Sequence, residues 1–178
     1  RFAFLAESSR LSPYLGFLAQ LSALQERLAA TLPPVEPVAA DAARRAAAGG
    51  MPPIDRRRLA ADPLLDRTLT ALCDGARTID MPEPARLALE AVADAGPDDR
   101  RWLFGNILAD AIPEDSAAAH LFAGAAVQVH LARMAATLDA AALAPVGVGL
   151  CPACGGRPVS SSVTGAVGIE SLRYAACA

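Results

Sequence analysis

The chain has 178 residues, a formal charge of −3, and 53 % apolar but only 4 % aromatic residues. That is room for one ordinary domain and a small appendage, with a core filled by alanine and leucine; alanine loses no side-chain entropy in a helix, so the composition leans all-α. Every basic residue is arginine and the net charge is negative, which argues against nonspecific binding to nucleic acid or to an anionic membrane, because both need a basic face.

Residues 1–8 read as the tail of a helix. Ser12-Pro13 is a helix start, with serine as cap and proline in the first turn, where its missing N–H costs nothing. The helix is expected to run to about Thr31, with Phe17, Leu21, Leu24 and Leu28 on one face, and Pro33-Pro34 ends it. Residues 36–48 predict a short alanine-rich helix stopped by Gly49-Gly50. Met51-Pro52-Pro53-Ile54 is expected to be extended, because proline pushes its predecessor out of the α region, and Asp55 to cap a short turn. Arg56-Arg57-Arg58, the one local basic block, reads as a solvated first helical turn.

Asp62-Pro63 opens the next expected helix, with Leu65, Leu69 and Leu72 on one side. Pro82 and Pro84 start another, carrying Leu87, Leu89 and Val92; Pro97-Asp98-Asp99 starts a third, with Trp102, Leu103, Ile107 and Leu108. Asp115 or Ser116 caps the longest helix, expected to reach about Ala142 with Val127, Leu131, Met134 and Leu138 as its buried stripe. Gly124, Ala125 and Ala126 would let a neighbour approach closely. This pattern predicts five to seven helices and a helical domain over residues 1–145.

Beyond Pro145 the texture changes. Residues 146–178 hold six of the thirteen glycines and three of the four cysteines. Residues 159–164 and 169–174 predict two short strands joined by a glycine turn, so 146–178 is expected to be a partial cysteine ribbon. No apolar run spans a membrane: residues 123–129 come nearest, and Gln128, His130 and Arg133 interrupt well short of the ~20 residues needed. No segment reads as a signal peptide. The chain begins at Arg1 within a helical pattern and stops at Ala178 mid-pattern, so both ends read as cut and a fragment is expected.

Cys151-Pro152-Ala153-Cys154-Gly155 is the motif that carries chemistry. Two thiolates two residues apart can grip one tetrahedral metal, and the following glycine permits the left-handed backbone of a turn whose N–H groups point at the sulfurs. Cys177 follows after 22 intervening residues, where a returning strand would bring it back to the first pair. A redox dithiol and a plain turn compete with the metal reading; the dithiol would need a βαβ context that does not surround Cys151. Cys73 reads as core, and His120 and His130 as surface or capping residues. There is no Gly-rich phosphate loop and no Ser/His/Asp signature, so no catalytic residue is nominated.

Several segments are similar to the bacterial formate dehydrogenase accessory protein family. They are Phe122 through Gln128-Val129 and Arg133, Leu138-Asp139, Leu143-Ala144-Pro145-Val146, and Cys151-Pro152-Ala153-Cys154-Gly155-Gly156-Arg157-Pro158-Val159. Ser171-Leu172-Arg173-Tyr174 before Cys177, Ser12-Pro13-Tyr14-Leu15 through Gln25, and Met51-Pro52-Pro53-Ile54-Asp55 add to it. The resemblance implies a cytoplasmic, non-enzymatic helper needed for active respiratory formate dehydrogenase and thought to contact its catalytic subunit. It implies a mainly α fold, a helical domain joined to the start of a rubredoxin-like or zinc-ribbon β-hairpin that binds iron, or zinc in its place. Carried over, Cys151, Cys154 and Cys177 are metal ligands; the partner-binding residues are not fixed by the resemblance, and Arg157, Arg173 and Tyr174 are candidates from the ribbon itself. The family's later Cys-x-x-Cys pairs are absent here. In this chain the expectation is therefore either no metal or one held by three sulfurs plus water or a neighbouring chain. Two other readings stand beside this one: a zinc-ribbon adaptor for nucleic acid or protein, with only Arg157 and Arg173 as basic residues near the ribbon, and a thiol redox protein, which needs a depressed cysteine pKa.

Overall fold

The computed structural model describes residues 2–147, 149–163 and 173–177. Among them are eight α-helices: α1 (Phe2–Ala6), α2 (Ser12–Thr31), α3 (Ala40–Ala48), α4 (Arg56–Leu59), α5 (Pro63–Ala76), α6 (Glu83–Asp94), α7 (Pro97–Leu108) and α8 (Ala117–Ala135). Two strands follow, β1 (Pro158–Val163) and β2 (Arg173–Cys177). The fold is mainly α, with strands only near the C-terminal end of the described residues, as the helical stripes and proline starts predict. The eighth helix is the single turn α4, expected only as a turn.

The chain divides into two units, each built from two segments: residues 1–34 with 57–132, and residues 35–56 with 133–178. In the first unit the sequence pattern explains most of the packing. Phe17, Leu21, Leu24 and Leu28 of α2 are buried, as are Leu65, Leu69 and Leu72 of α5, the helix against which α2 packs. Phe17 meets Phe122 of α8 edge-on, with ring centres 6.3 Å apart. Asp62 caps α5 by accepting a hydrogen bond from the Leu64 N–H at 2.8 Å. α2 starts differently from expectation: Leu11 is its cap residue, Ser12 is its first helical residue, and no side chain caps it.

Other expectations fail for reasons of angle. Leu87 and Trp102 are more than half exposed. At 100° per residue, Leu87 lies nearly opposite Leu89 on α6, and Leu89 and Val92 take the buried side. On α7 the buried residues are Leu103, Phe104 and Ile107, and Trp102 sits at the edge, its ring 5.2 Å from that of His120.

His120 and His130 are not surface residues: they are 2 % and 1 % exposed. The Asn106 amide donates to His120 Nε2 at 3.2 Å, so Nδ1 carries the proton and donates to the Ser116 carbonyl at 2.9 Å. His130 Nε2 lies 3.2 Å from Asp62 Oδ2, so one carboxylate both caps α5 and meets a buried histidine of α8.

α8 ends at Ala135, short of the expected residue 142. Thr137 Oγ1 donates to the Met134 carbonyl at 2.8 Å, offering the chain a turn in place of another helical bond. A 3₁₀ turn, Ala140–Ala142, follows. Met134 and Leu138 are consequently only half-buried, whereas Val127 and Leu131 are buried. No helix among the described residues is long and apolar enough to cross a membrane.

The second unit holds α3, the Met51–Asp55 strap, the end of α8, the 3₁₀ turn and the strands. The point 145/146, where the texture of the sequence changes, falls inside this unit. β1 and β2 pair antiparallel, with Ser162 opposite Tyr174, Val163 opposite Arg173 and Pro158 opposite Cys177. The expected strand 159–164 is met by β1 to within a residue at each end; Thr164, the glycine turn and residues 169–172 lie outside the described residues. A cleft of about 380 Å³ runs between α3 and the 3₁₀ turn, lined by Val38, Ala43, Ala47, Met51, Leu138 and Leu143 among others.

Candidate metal centre

Cys151 and Cys154 lie on one tight turn. The Gly155 N–H donates to the Cys151 carbonyl at 2.8 Å, and the Cys151 N–H to the Gly156 carbonyl at 2.9 Å. Gly155 has φ +71°, the left-handed conformation that the turn demands and that side chains with a Cβ resist. Residues 156 and 157 then lead into β1, and the register Pro158↔Cys177 returns the far end of β2 to the turn. The sulfurs of Cys151, Cys154 and Cys177 thus come within 4.8 Å of one another, and Cys154 Sγ is 3.8 Å from Cys177 Sγ.

The electrostatics of the three thiols differ. Burial works against ionisation of Cys151, but hydrogen bonds from the Cys177 thiol, the Cys154 and Ala153 N–H groups and the Cys154 thiol outweigh it, so its pKa falls below the ordinary 9.0. Burial raises Cys154; the Gly156 N–H opposes this, and the neighbouring Cys151 charge adds to it. Burial, helped by its hydrogen bond to Cys151 and by the charges of the other two, pushes Cys177 up to about 12. Ionisation is therefore easier at Cys151 than at the other two sulfurs, which are held back chiefly by burial. The backbone N–H groups aimed at sulfur are those expected from the Cys-x-x-Cys-Gly turn.

Cys73 stands apart. It is 1 % exposed in α5, and burial, only partly offset by Arg100 and Arg77, pushes its thiol up to about 11. Of the candidate partner contacts, Arg157 is exposed just before β1, and Arg173 and Tyr174 are placed on β2.

One part of the centre was not nominated from sequence: the strap that begins at Met51. The Ile54 N–H donates to the Ala153 carbonyl at 3.0 Å, and Ile54 is 1 % exposed. Pro52 lies against Gly155, with Pro52 Cγ 3.2 Å from where a Cβ would stand. Arg56 is half-buried rather than solvated, whereas Arg57 and Arg58 are exposed. The signal was present in the unusual run Met51-Pro52-Pro53-Ile54, whose extended backbone leaves an N–H to donate, but nothing local says to which acceptor.

A mainly helical chain with a cysteine turn closed by an antiparallel strand pair is the architecture of a helical protein with the start of a cysteine ribbon. The chain belongs to the FdhE family: the family model described as "FdhE, N-terminal" matches residues 1–148. It is 46 % identical to a protein FdhE homolog of Rhizobium meliloti (strain 1021) over 177 residues, 99 % of this chain and 58 % of that protein. It is 33 % identical to a protein FdhE homolog of Edwardsiella ictaluri (strain 93-146), again over 99 % of this chain and 57 % of that protein. The crystal structure of the FdhE protein from Pseudomonas aeruginosa superposes with a TM-score of 0.81 at 28 % identity, covering 99 % of this chain and 60 % of that one. The chain thus spans a little under three-fifths of the length of the curated relatives it matches.

Proposed function

We propose that the protein is a non-catalytic accessory factor of a respiratory formate dehydrogenase. It acts in the cytoplasm by binding the dehydrogenase's catalytic subunit, with Cys151, Cys154 and Cys177 as ligands of one iron or zinc ion. The observation that carries this reading is the convergence of three cysteine sulfurs in a chain of the FdhE family.

The donor set suits such an ion. Four sulfurs placed tetrahedrally at bonds of ~2.3 Å stand about 3.8 Å apart, and the Cys154–Cys177 pair is already at 3.8 Å. Burial first, and the neighbouring sulfurs second, raise the pKa values of Cys154 and Cys177 in the absence of a cation, and a bound divalent ion would offset both costs. Iron, when bound, would supply one-electron exchange, and zinc a redox-silent brace. The chain's own residues do the rest: the Cys151 turn aims N–H groups at sulfur, β2 delivers Cys177, and the Ile54 strap fixes the turn. The fourth position falls to water, a neighbouring chain or a further cysteine of a longer protein.

Capture of the dehydrogenase catalytic subunit by tagged protein tests the reading, with wild type compared against the Cys151→Ser/Cys154→Ser double variant. Strong capture by the wild type and weak capture by the variant is expected. Equal capture by both would move the docking element to the helices, and no capture by either would remove the accessory role.

A further inference from the structure

Gly156 sits in a narrow gap. A side chain there would collide with Arg56 Nη1, and its Cβ would stand 3.2 Å from the Arg56 guanidinium carbon and 3.4 Å from Cys154 Sγ. The guanidinium and the Cys154 sulfur therefore both border the space that a side chain on residue 156 would fill. Gly156 also gives its N–H to the Cys154 sulfur. Arg56 is carried to this place by the strap: Ile54 is tied to Ala153 and Pro52 rests on Gly155, so residues 52, 54 and 56 contact 155, 153 and 156 in turn. Arg56 belongs to the same unit as the cysteines.

We infer that Arg56 is a positioning and charge-compensating residue of the cysteine site: its fixed cation beside Cys154 stabilises the anionic complex that three thiolates form with a divalent ion. This inference rests on reading the three cysteines as a metal site. Three thiolates and one divalent ion sum to a net negative charge in a half-buried place, where a nearby cation is screened less than at the surface. Arginine serves this purpose because it remains protonated throughout the accessible pH range, and its flat guanidinium fits a gap that only glycine leaves open. Gly156 gives the arginine its room, and the run Arg56-Arg57-Arg58 divides into one residue turned to the site and two turned to solvent.

The test is a Co²⁺ titration of this chain, read by the thiolate-to-cobalt charge-transfer band, for wild type, Arg56→Gln and Arg56→Lys, with helical content followed by circular dichroism. Removing a residue that supports metal ligands from outside typically weakens binding about ten- to a hundred-fold, and Arg56→Gln is expected to fall in that range. Arg56→Lys keeps the charge and should stay within a few-fold of wild type; it also carries the test if the glutamine variant loses helical signal. Unchanged affinity in Arg56→Gln overturns the role of Arg56 while leaving the metal site intact. Equal weakening in both variants overturns the part assigned to charge. Absence of any thiolate band in the wild type overturns the metal site and this inference together.

Discussion

The two units bury their side chains on different scales. In the first, α2, α5, α6, α7 and α8 each contribute buried apolar residues, and three leucines of α5 are fully covered. In the second, only Val35, Ile54, Ala153 and Cys154 are buried apolar residues among those described. Four buried apolar residues give little cohesion by themselves, and small units of this kind usually draw stability from a metal or a disulfide. The first unit should therefore be held by redundant packing, the second by its cysteine site and by a few specific bonds such as Ile54 to Ala153.

The sharpest way to break this contrast is the Cys151→Ser/Cys154→Ser variant. Serine is close in shape but supplies no thiolate at neutral pH, so metal binding should be lost altogether while helical content is retained. Elemental analysis and circular dichroism on the same sample check both halves. A large loss of helix would show that the helices depend on the cysteine turn.

Leu69→Ala addresses the opposite side. Leu69 is fully buried, and its truncation should destabilise the first unit by about 2–5 kcal/mol, measured by urea unfolding, with metal stoichiometry unchanged.

Asp62→Ala should cost about 2 kcal/mol, one part from the lost α5 cap and one from the lost partner of buried His130. Asp62→Asn keeps an oxygen for the cap and should recover about half.

The last effect, confined to alkaline pH, is a pH dependence in the same unit. Burial raises the Cys73 pKa from 9.0 to about 11. Between those values the unfolded chain releases a proton that the folded one keeps, so stability falls as pH rises through that window and is unaffected below it. The slope attributable to Cys73 is about 1.4 kcal/mol per pH unit at most, and it should disappear in Cys73→Ala.

The same contrast governs how much could be read from the sequence. The faces of α2 and α5 were legible because a helix repeats every 3.6 residues, and each leucine declares its side by its neighbours. The cysteine turn was legible because Cys-x-x-Cys-Gly encodes both the donors and the backbone that aims them. The end of α8 was hidden because no proline or glycine marks it; a threonine hydroxyl bonding back to Met134 does the work. The burial of His130 was hidden because its partner, Asp62, already had a sufficient reason to exist as a helix cap. The strap was hidden for a similar reason. Its prolines show only that the backbone is extended, and the pairing of Ile54 with Ala153 depends on residues far along the chain.

Cys151, Cys154 and Cys177 are expected to converge on a single ion. X-ray absorption at the metal edge of the zinc-loaded chain tests this convergence most directly, because it counts the sulfurs around the metal. At least three sulfurs at ~2.3 Å are expected in the wild type, and one fewer in Cys177→Ser. A shell of nitrogen and oxygen with one sulfur or none, or a shell indifferent to Cys177→Ser, would contradict it.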